Sequence, residues 1–294
     1  KNIVMNIALG TAQFGFSYGI ANTNGKVTNE MAKKILSRAK EANINTLDTA
    51  ISYGESEQCL GNAGVGGWNL ITKLPPIPEN CLDVTDWVNC QINASLQRLK
   101  AESIMAIMLH RPKQLLESNG RCLWAALQAL KNKGIIEKIG FSIYDVEELD
   151  LLLGEFKADI VQAPYNLLDQ RLKKSGWLEK LHQDGVEVHV RSIFLQGLLL
   201  MNDKYRIKKF SRWSLLWKKW ERWLRDSNLS PLEACIGFVN SEPLIDIVVI
   251  GVDSLQQLEQ IIKTLALNKN IDQIPQEIVT IDQDLINPSN WKNL

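Results

Sequence analysis

The segment Leu47-Asp48-Thr49-Ala50-Ile51-Ser52-Tyr53-Gly54 decides how the fold is predicted. It completes a short apolar run that ends in an acid, and a tyrosine follows in a loop bounded by glycine. Two later apolar runs also end in a polar residue, Leu70-Ile71-Thr72-Lys73 and the run from Ile104 to His110. If the three runs are neighbouring parallel strands, their last residues share one edge of a sheet. The side chains that we expect to converge there are those of Asp48, Tyr53, Lys73 and His110.

Short apolar runs alternate with longer amphipathic stretches along the rest of the chain, which predicts repeated β–α units around a parallel sheet. The predicted strands are Ile7–Leu9, Asn45–Asp48, Asn69–Leu74, Ile104–His110, Ile136–Ser142, Ile160–Pro164, Val186–Ser192 and Ile245–Gly251. The predicted helices are Asn29–Glu41, Val84–Leu99, Trp124–Lys133, Val146–Leu153, Leu172–His182 and Leu255–Leu265. We therefore expect an α/β fold, a (β/α)8 barrel in one domain over residues 1–294, since roughly 250 residues is typical of that fold. A doubly wound open sheet is the alternative, although the stretch from Gly10 to Gly15 is not a GxGxxG loop.

Composition favours a small-molecule partner. The chain has 33 basic and 33 acidic residues, so no net charge favours nucleic acid or an anionic membrane. Residues 1–10 lack a leader pattern and no apolar run approaches the roughly 18 residues of a membrane span, so we expect a cytoplasmic protein. The 5 cysteines lack CxxC spacing and the 3 histidines are scattered, so we expect reduced thiols and no metal site.

Nearly every predicted strand ends in a polar residue or glycine. These strand ends are Gly10 with Thr11, Asp48, Lys73, His110, Ser142, Gln162, Arg191 with Ser192, and Gly251. Buried polar groups without partners cost about 1–3 kcal/mol each, so a barrel without a function has no reason to gather them on one rim. The sequence therefore predicts a site at this rim.

The chemistry expected of the first four residues is proton delivery to an oxygen that becomes negative. A tyrosine hydroxyl has a pKa near 10, and a lysine within hydrogen-bonding reach, oriented by a carboxylate, lowers the cost of its phenolate. Asp48, Tyr53 and Lys73 supply this set, and His110 adds a donor for a substrate oxygen. A carbonyl that receives a hydride is such an oxygen, and the hydride must come from a cofactor. Ser142 and Gln162 suit a carboxamide such as that of nicotinamide.

Other interpretations of the same residues stay open. Asp48 alone could be a structural acid, and Lys73 and His110 could be ordinary loop residues. Lys73 could also be the Schiff-base lysine of a barrel aldolase.

The ordered set of motifs resembles the aldo-keto reductases almost from end to end. The matching blocks are Leu9-Gly10-Thr11 with Gly15, Asp48-Thr49-Ala50 through Tyr53-Gly54, Ser56-Glu57, Leu60-Gly61, Ile71-Thr72-Lys73, Leu109-His110-Arg111-Pro112, Gly140-Phe141-Ser142, Gln162 with Tyr165-Asn166, and Ser192 with Leu195 and Gly197. The resemblance implies a (β/α)8 barrel that binds a nicotinamide cofactor and reduces aldehydes or ketones. It implies that Tyr53 is the general acid, Lys73 and Asp48 its supporting pair, and His110 the substrate-orienting residue. A cofactor-binding regulatory barrel without turnover is the alternative function.

The resemblance also implies a cofactor site along the rim. Its expected residues are Gly10, Thr11, Asp48, Ser142, Gln162, Arg191, Ser192, Leu195, Gly197, Gly251, Ser254 and Gln257. NADPH is the family's usual cofactor and is the expected one, with NADH as the other choice, because Asp253 stands where basic residues often clasp the 2′-phosphate of NADPH.

The remaining expectations concern the substrate pocket and a tryptophan-rich stretch. Tyr18, Trp68 and Arg111 are candidate pocket walls, and the chain is expected to be a monomer or a weak homo-oligomer. Four tryptophans, Trp213, Trp217, Trp220 and Trp223, recur at helical spacing between basic residues. Core packing of the helix before the eighth strand is the expected role, with a membrane-surface helix or a lid over an anionic substrate as alternatives.

Overall fold

The structure, a computed structural model, describes residues 5–294. Eight parallel strands form a closed barrel in chain order. The strands are β1 Ile7–Gly10, β2 Thr46–Asp48, β3 Asn69–Leu74, β4 Ile104–Leu109, β5 Ile136–Ser142, β6 Ile160–Pro164, β7 Glu187–Arg191 and β8 Ile247–Gly251. The predicted (β/α)8 barrel is confirmed. β3, β5 and β6 have the predicted bounds, and the other strands differ by one or two residues at an end.

Helices surround the barrel. They are α1 Ala12–Gly15, α2 Asn29–Glu41, α3 Ser56–Ala63, α4 Val84–Leu99, α5 Gly120–Asn132, α6 Glu147–Leu152, α7 Arg171–Lys174, α8 Trp177–Gln183, α9 Ser214–Asp226, α10 Pro231–Asn240, α11 Leu255–Ala266 and α12 Gln283–Ile286. The prediction of one helix from Leu172 to His182 is wrong. Gly176, with a φ of 80°, separates α7 from α8, because a left-handed residue cannot continue an α-helix.

The first long helix, α2, shows how local sequence sets these elements. Thr28 caps it by accepting a hydrogen bond from the Met31 amide, at 3.2 Å. The buried residues Ala32, Ile35, Leu36 and Ala39 recur at helical spacing and face the barrel. Four other helices, α1, α3, α10 and α12, have no counterpart in the sequence-based prediction. In α10, six of the ten residues are buried, so its sequence has little polar–apolar periodicity to detect.

The barrel interior contains an apolar layer beneath a polar rim. Ile71, Ala106, Met108 and Ile160 are buried together, and the alternation of side chains along a strand places Lys73 and Gln162 on the same side as Ile71 and Ile160. Further toward the amino ends of the strands, Lys138 pairs with Glu187, and His189 Nε2 lies 2.7 Å from the other Glu187 oxygen. The hydrogen bond with His189 is the largest effect on the pKa of Glu187, and together with Lys138 it lowers this pKa to about 2, although burial alone would raise it.

The tryptophan-rich stretch is mostly core. Trp217 and Trp220, in α9, are 2% and 1% exposed, and the Trp217 indole donates to the Phe210 carbonyl at 3.0 Å. Trp213 and Trp223 are half-buried. The expected core packing is confirmed, but the helix that directly precedes β8 is α10 and not α9.

Over residues 5–294, no helix is long and apolar enough to cross a membrane. The part of the leader prediction that concerns residues 1–4 lies outside the described residues.

Candidate active site

A buried ion pair lies at the carboxyl-terminal rim of the barrel. The Lys73 ammonium donates to Asp48 Oδ1 at 2.5 Å and to the Thr49 carbonyl at 2.9 Å. Gln162 Nε2 donates to the other carboxylate oxygen, Asp48 Oδ2, at 2.7 Å. Because β2 and β6 are not neighbouring strands, this last hydrogen bond crosses the barrel interior.

Lys73 itself is enclosed. It is 1% exposed, and its ammonium is held by two hydrogen bonds. A Schiff-base lysine must present a free amine to a carbonyl, so this arrangement disfavours the aldolase interpretation.

Tyr53 lies in the turn after β2 and is held by backbone contacts. Its amide donates to the Ala50 carbonyl and its carbonyl accepts from the Ser56 amide, both at 3.0 Å. Gly15 lies against this turn so closely that a Cβ at Gly15 would be 1.6 Å from the Tyr53 carbonyl oxygen. The Tyr53 ring packs edge-on against the His110 imidazole, with centroids 5.8 Å apart, and lies 5.3 Å from the Lys73 ammonium. The loops after β1, β2 and β4 thus meet around this phenol.

The Tyr53 phenol is protonated at neutral pH. Burial and then the Asp48 carboxylate raise its pKa, while Arg191 lowers it. The sequence-based expectation was that a hydrogen bond from Lys73 lowers the pKa. The Lys73 ammonium donates to Asp48 and Thr49 and lies 5.3 Å from the Tyr53 ring, so burial and the Asp48 carboxylate dominate the pKa and the phenol keeps its proton before any reaction.

His110 follows β4 and is uncharged at neutral pH. Burial, with the nearby Lys73 and Arg191 cations, lowers its pKa to about 4. Its Nδ1 lies 3.1 Å from the Ser52 hydroxyl, which can fix the tautomer of the ring. A neutral imidazole keeps one N–H donor, so His110 can orient an oxygen without adding a charge.

A cavity of about 490 Å³ opens between the loops at this rim, within the roughly 300–1,000 Å³ of ligand sites. Most of the predicted site residues line it. They are Gly10, Thr11, Tyr18, Asp48, Tyr53, His110, Ser142, Gln162, Arg191, Ser192, Gly197, Gly251 and Gln257.

Some predicted residues lie elsewhere. Trp68 precedes β3 and so lies at the opposite end of the barrel, with Lys40 over its ring. Arg111 points away from the cavity and pairs with Glu117 at 2.5 Å. Their prediction as pocket walls is corrected. Leu195 is fully buried, and Ser254 caps α11 by accepting from the Gln257 amide, so neither lines the cavity.

Several residues line the cavity although the sequence did not predict them. Gln13 lines the cavity from α1, and Gln196 and Tyr144 line it from the segments after β7 and β5. Ser230 to Leu232, at the start of α10, complete this set. The capping box of Ser230 and Glu233 was a readable signal for that helix start. Tyr144 comes two residues after a strand-end serine, but nothing in the local pattern shows where its ring turns.

The cavity wall has one unsatisfied buried acceptor that fits a carboxamide. Gln162 Oε1 is buried without a hydrogen-bond partner in the described part of the chain, although its amide nitrogen is engaged by Asp48. Ser142, one strand away, also lines the cavity and pairs with Gln162 in the strand register. An orphaned buried acceptor costs about 1–3 kcal/mol, which a bound amide N–H would recover. These residues therefore fit the carboxamide of a nicotinamide.

Comparison with known proteins agrees with this geometry. Residues 6–280 match the model of the aldo/keto reductase family. The chain belongs to this family.

Two curated relatives are distant. This aldo/keto reductase is 26% identical over 211 residues to the NADH-specific methylglyoxal reductase of Escherichia coli (strain K12), covering 60% of each chain. It is 28% identical over 185 residues to aflatoxin B1 aldehyde reductase member 2 of Rattus norvegicus, covering 57% of this chain and 48% of that protein. The chain thus spans less than two thirds of either relative.

A solved structure shares the fold. An aldo-keto reductase from Bacillus halodurans, in its holo form, superposes with a TM-score of 0.71 at 19% identity, covering 94% of both chains.

Proposed function

We propose that this chain reduces an aldehyde or ketone to an alcohol with a reduced nicotinamide cofactor, NADH or NADPH. The observation that supports this most is the common placement of Tyr53 and His110. Their rings are 5.8 Å apart at the edge of one cavity, and the Lys73–Asp48 pair lies beneath it. A proton donor and a neutral hydrogen-bond donor side by side are the groups that a carbonyl oxygen needs as it gains charge.

In this proposal, Tyr53 donates its proton to the carbonyl oxygen. The raised pKa keeps the phenol protonated before reaction. Lys73, 5.3 Å from the Tyr53 ring, stabilises the phenolate that forms, and Asp48 holds that lysine in place. His110 fixes the oxygen through its single N–H, with Ser52 on its other nitrogen.

Ser142 and Gln162 would hold the carboxamide of the nicotinamide, which supplies the hydride when bound. Gln162 is suited to this because its Oε1 lacks a partner and its Nε2 is fixed on Asp48. Asp48 thus contacts both Lys73, which supports Tyr53, and Gln162, which belongs to the proposed carboxamide site.

We further propose that NADH is favoured, which differs from the NADPH expected from the sequence. Asp253 lines the cavity after β8, is 8% exposed, and is held by Asn24 at 2.9 Å. Among the cavity-lining residues, Arg191 is the one Lys or Arg side chain, and it reaches toward the loop after β5. If the adenosine ribose lies against the loop after β8, as the family resemblance implies, a carboxylate there would accept from a 2′-hydroxyl and repel a 2′-phosphate.

Parallel fluorescence titrations with NADH and NADPH, followed by a panel of aldehydes, ketones and sugars, test the proposed function. We expect saturable cofactor binding and carbonyl-dependent cofactor oxidation. Tight binding without turnover of any carbonyl would instead favour the non-catalytic, cofactor-binding barrel, and absence of binding would contradict both.

A further inference from the structure

Arg191 places a positive charge in the wall of the cavity that Tyr53 and His110 also line. It ends β7 and lines the cavity, and its guanidinium carbon lies 4.6 Å from the Tyr144 ring centroid. One guanidinium nitrogen, Nη2, donates to the Ile143 carbonyl at 3.0 Å, and Nη1 lies 3.3 Å from the Ser192 hydroxyl. The side chain is thereby fixed across the rim toward the loop after β5.

The charge acts on the reacting end of the cavity. Arg191 lowers the pKa of His110 and opposes the raised pKa values of Tyr53 and Tyr18, so the guanidinium lies within electrostatic reach of all three. The aromatic residues that line this end are Tyr18, Tyr53 and Tyr144, and the Phe16 ring packs beside the first two, 5.7 Å from Tyr18 and 6.1 Å from Tyr53. Arg191 is the one Lys or Arg among the cavity-lining residues, so an organic anion bound here would meet a single fixed guanidinium, which suits a carboxylate or phosphate.

This cation has no carboxylate partner of its own among residues 5–294. The salt bridges of the rim leave Arg191 out, because Asp48 is engaged by Lys73 and Gln162, and Asp145 is engaged by Arg171. Its bonds to Ile143 and Ser192 are both to neutral oxygens, which leaves N–H groups of the guanidinium for a ligand. A half-buried guanidinium gains most from a carboxylate or phosphate, which accepts two parallel hydrogen bonds.

We propose that Arg191 selects a carbonyl substrate that carries an anionic group, a carboxylate or a phosphate, near the reacting carbon. This proposal rests on the proposed reductase function and names the substrate class of the same site. The anion remains unchanged in the reaction, and the guanidinium fixes it so that the carbonyl oxygen faces Tyr53 and His110. The cofactor pyrophosphate is the other anion that Arg191 could bind, and the experiment separates the two sources.

The test compares Arg191→Met with Arg191→Lys and with Arg111→Met. Arg111 is a matched control. It is the residue after His110 and therefore lies near the same rim, but it pairs with Glu117 and does not line the cavity. Each protein is assayed with aldehyde pairs that differ in charge alone, a carboxylate and its amide: glyoxylate, succinic semialdehyde and para-carboxybenzaldehyde with their amides. The Kd of NADH is measured in parallel by fluorescence.

We expect the wild type to prefer at least one carboxylate over its amide. Arg191→Met should lower kcat/KM for that carboxylate roughly tenfold to hundredfold, the range of one charge-assisted hydrogen-bonded pair, with the amide and the Kd of NADH changed less than about threefold. For the carboxylate, the kcat/KM of Arg191→Lys should lie between those of the wild type and Arg191→Met, because lysine keeps the charge but not the planar guanidinium. Arg111→Met should behave as the wild type.

Two results would overturn the proposal. One is an equal loss of kcat/KM for the carboxylate and the amide in Arg191→Met, together with weaker binding of NADH, which would assign Arg191 to the cofactor. The other is a wild type with no preference for any carboxylate. If the wild type binds NADH but reduces no carbonyl, the proposed function fails separately. Calorimetric titration of the NADH complex with para-carboxybenzaldehyde then decides the anion site, since binding must weaken in Arg191→Met for the site to stand.

Discussion

The Lys73 ammonium lies 2.5 Å from Asp48 Oδ1, and both side chains are almost fully buried, at 1% and 4% exposure. Removing one member of such a pair leaves an uncompensated charge in the barrel interior, at a cost of about 3–5 kcal/mol. Lys73→Met should therefore lower the free energy of unfolding by that amount, measured by urea denaturation, and should also reduce turnover strongly.

The double variant Asp48→Asn with Lys73→Met separates stability from catalysis. It leaves neither charge alone, so we expect it to regain much of the lost stability while turnover remains low. Full stability in Lys73→Met would show that the pair is not the buried ion pair described here.

His110 should titrate far below an ordinary histidine. Its pKa is lowered from 6.5 to about 4, mainly by burial, so the native state binds this proton less readily than the unfolded chain. This group therefore costs stability progressively as pH falls from about 6.5 toward 4, and kcat should stay level until pH approaches 5. The His110 ring resonance, identified with a His110→Asn variant, reports the pKa directly by NMR.

Arg191→Met provides the matched change for that titration. Because Arg191 contributes to lowering the pKa of His110, its removal should shift the NMR midpoint upward. An unchanged midpoint would mean that the guanidinium lies too far from the imidazole to act on it.

Asp253 should set the choice between NADH and NADPH. We expect the wild type to bind NADH at least about tenfold more tightly than NADPH. Asp253→Asn removes a charge without changing the side-chain shape, so it should reduce the ratio of the two Kd values, mainly by improving NADPH binding. Glu259→Gln is the control, because Glu259 lies on α11, the helix that follows Asp253, but pairs with Arg38 on the surface. In the wild type, the difference between the Kd values for NADH and NADPH should become smaller as salt is added, because salt screens the repulsion. A ratio that Asp253→Asn does not alter would place the adenosine ribose elsewhere.

Gln162 should matter for cofactor affinity more than for folding. Gln162→Ala removes an orphaned buried acceptor together with one hydrogen bond to Asp48, and these effects on stability oppose each other. We expect little change in Tm but a roughly tenfold weaker Kd for NADH. The control is Gln114→Ala, remote from the cavity. It also loses one hydrogen bond, from the Ile77 amide, together with one unpartnered buried amide atom, so Tm should change as little as in Gln162→Ala, while the Kd of NADH stays unchanged.

The barrel and its rim could be predicted because parallel strands carry continuous apolar runs that stop where the rim begins. Asp48, Lys73, Ser142 and Gln162 are the last or nearly the last inward-facing residues of their strands, so their convergence follows from strand order alone. The loop residues are different. Trp68 was placed at the wrong end because an aromatic next to a strand gives no indication of which end faces the site.

The electrostatic state of the rim could not be read from residue types. The sequence supplied Tyr53 and Lys73, but the structure directs the lysine to Asp48 and Thr49, which leaves burial to dominate the pKa of the phenol. Likewise, the strand end placed Arg191 at the rim, and the family resemblance alone implied a cofactor role for it. Its contacts with Ile143 and Tyr144 depend on how far the loop after β5 extends over the cavity.

The most direct test of the proposed chemistry is single-turnover reduction by Tyr53→Phe with NADH prebound. The substitution removes one hydroxyl and keeps the ring that packs against His110 and Phe16. We expect the Kd of NADH to match the wild type and the rate of cofactor oxidation to fall by about 10²–10⁴, the usual contribution of a positioned general acid. A Tyr53→Phe enzyme that binds NADH and oxidises it at nearly the wild-type rate would contradict the assignment of Tyr53 as the proton donor.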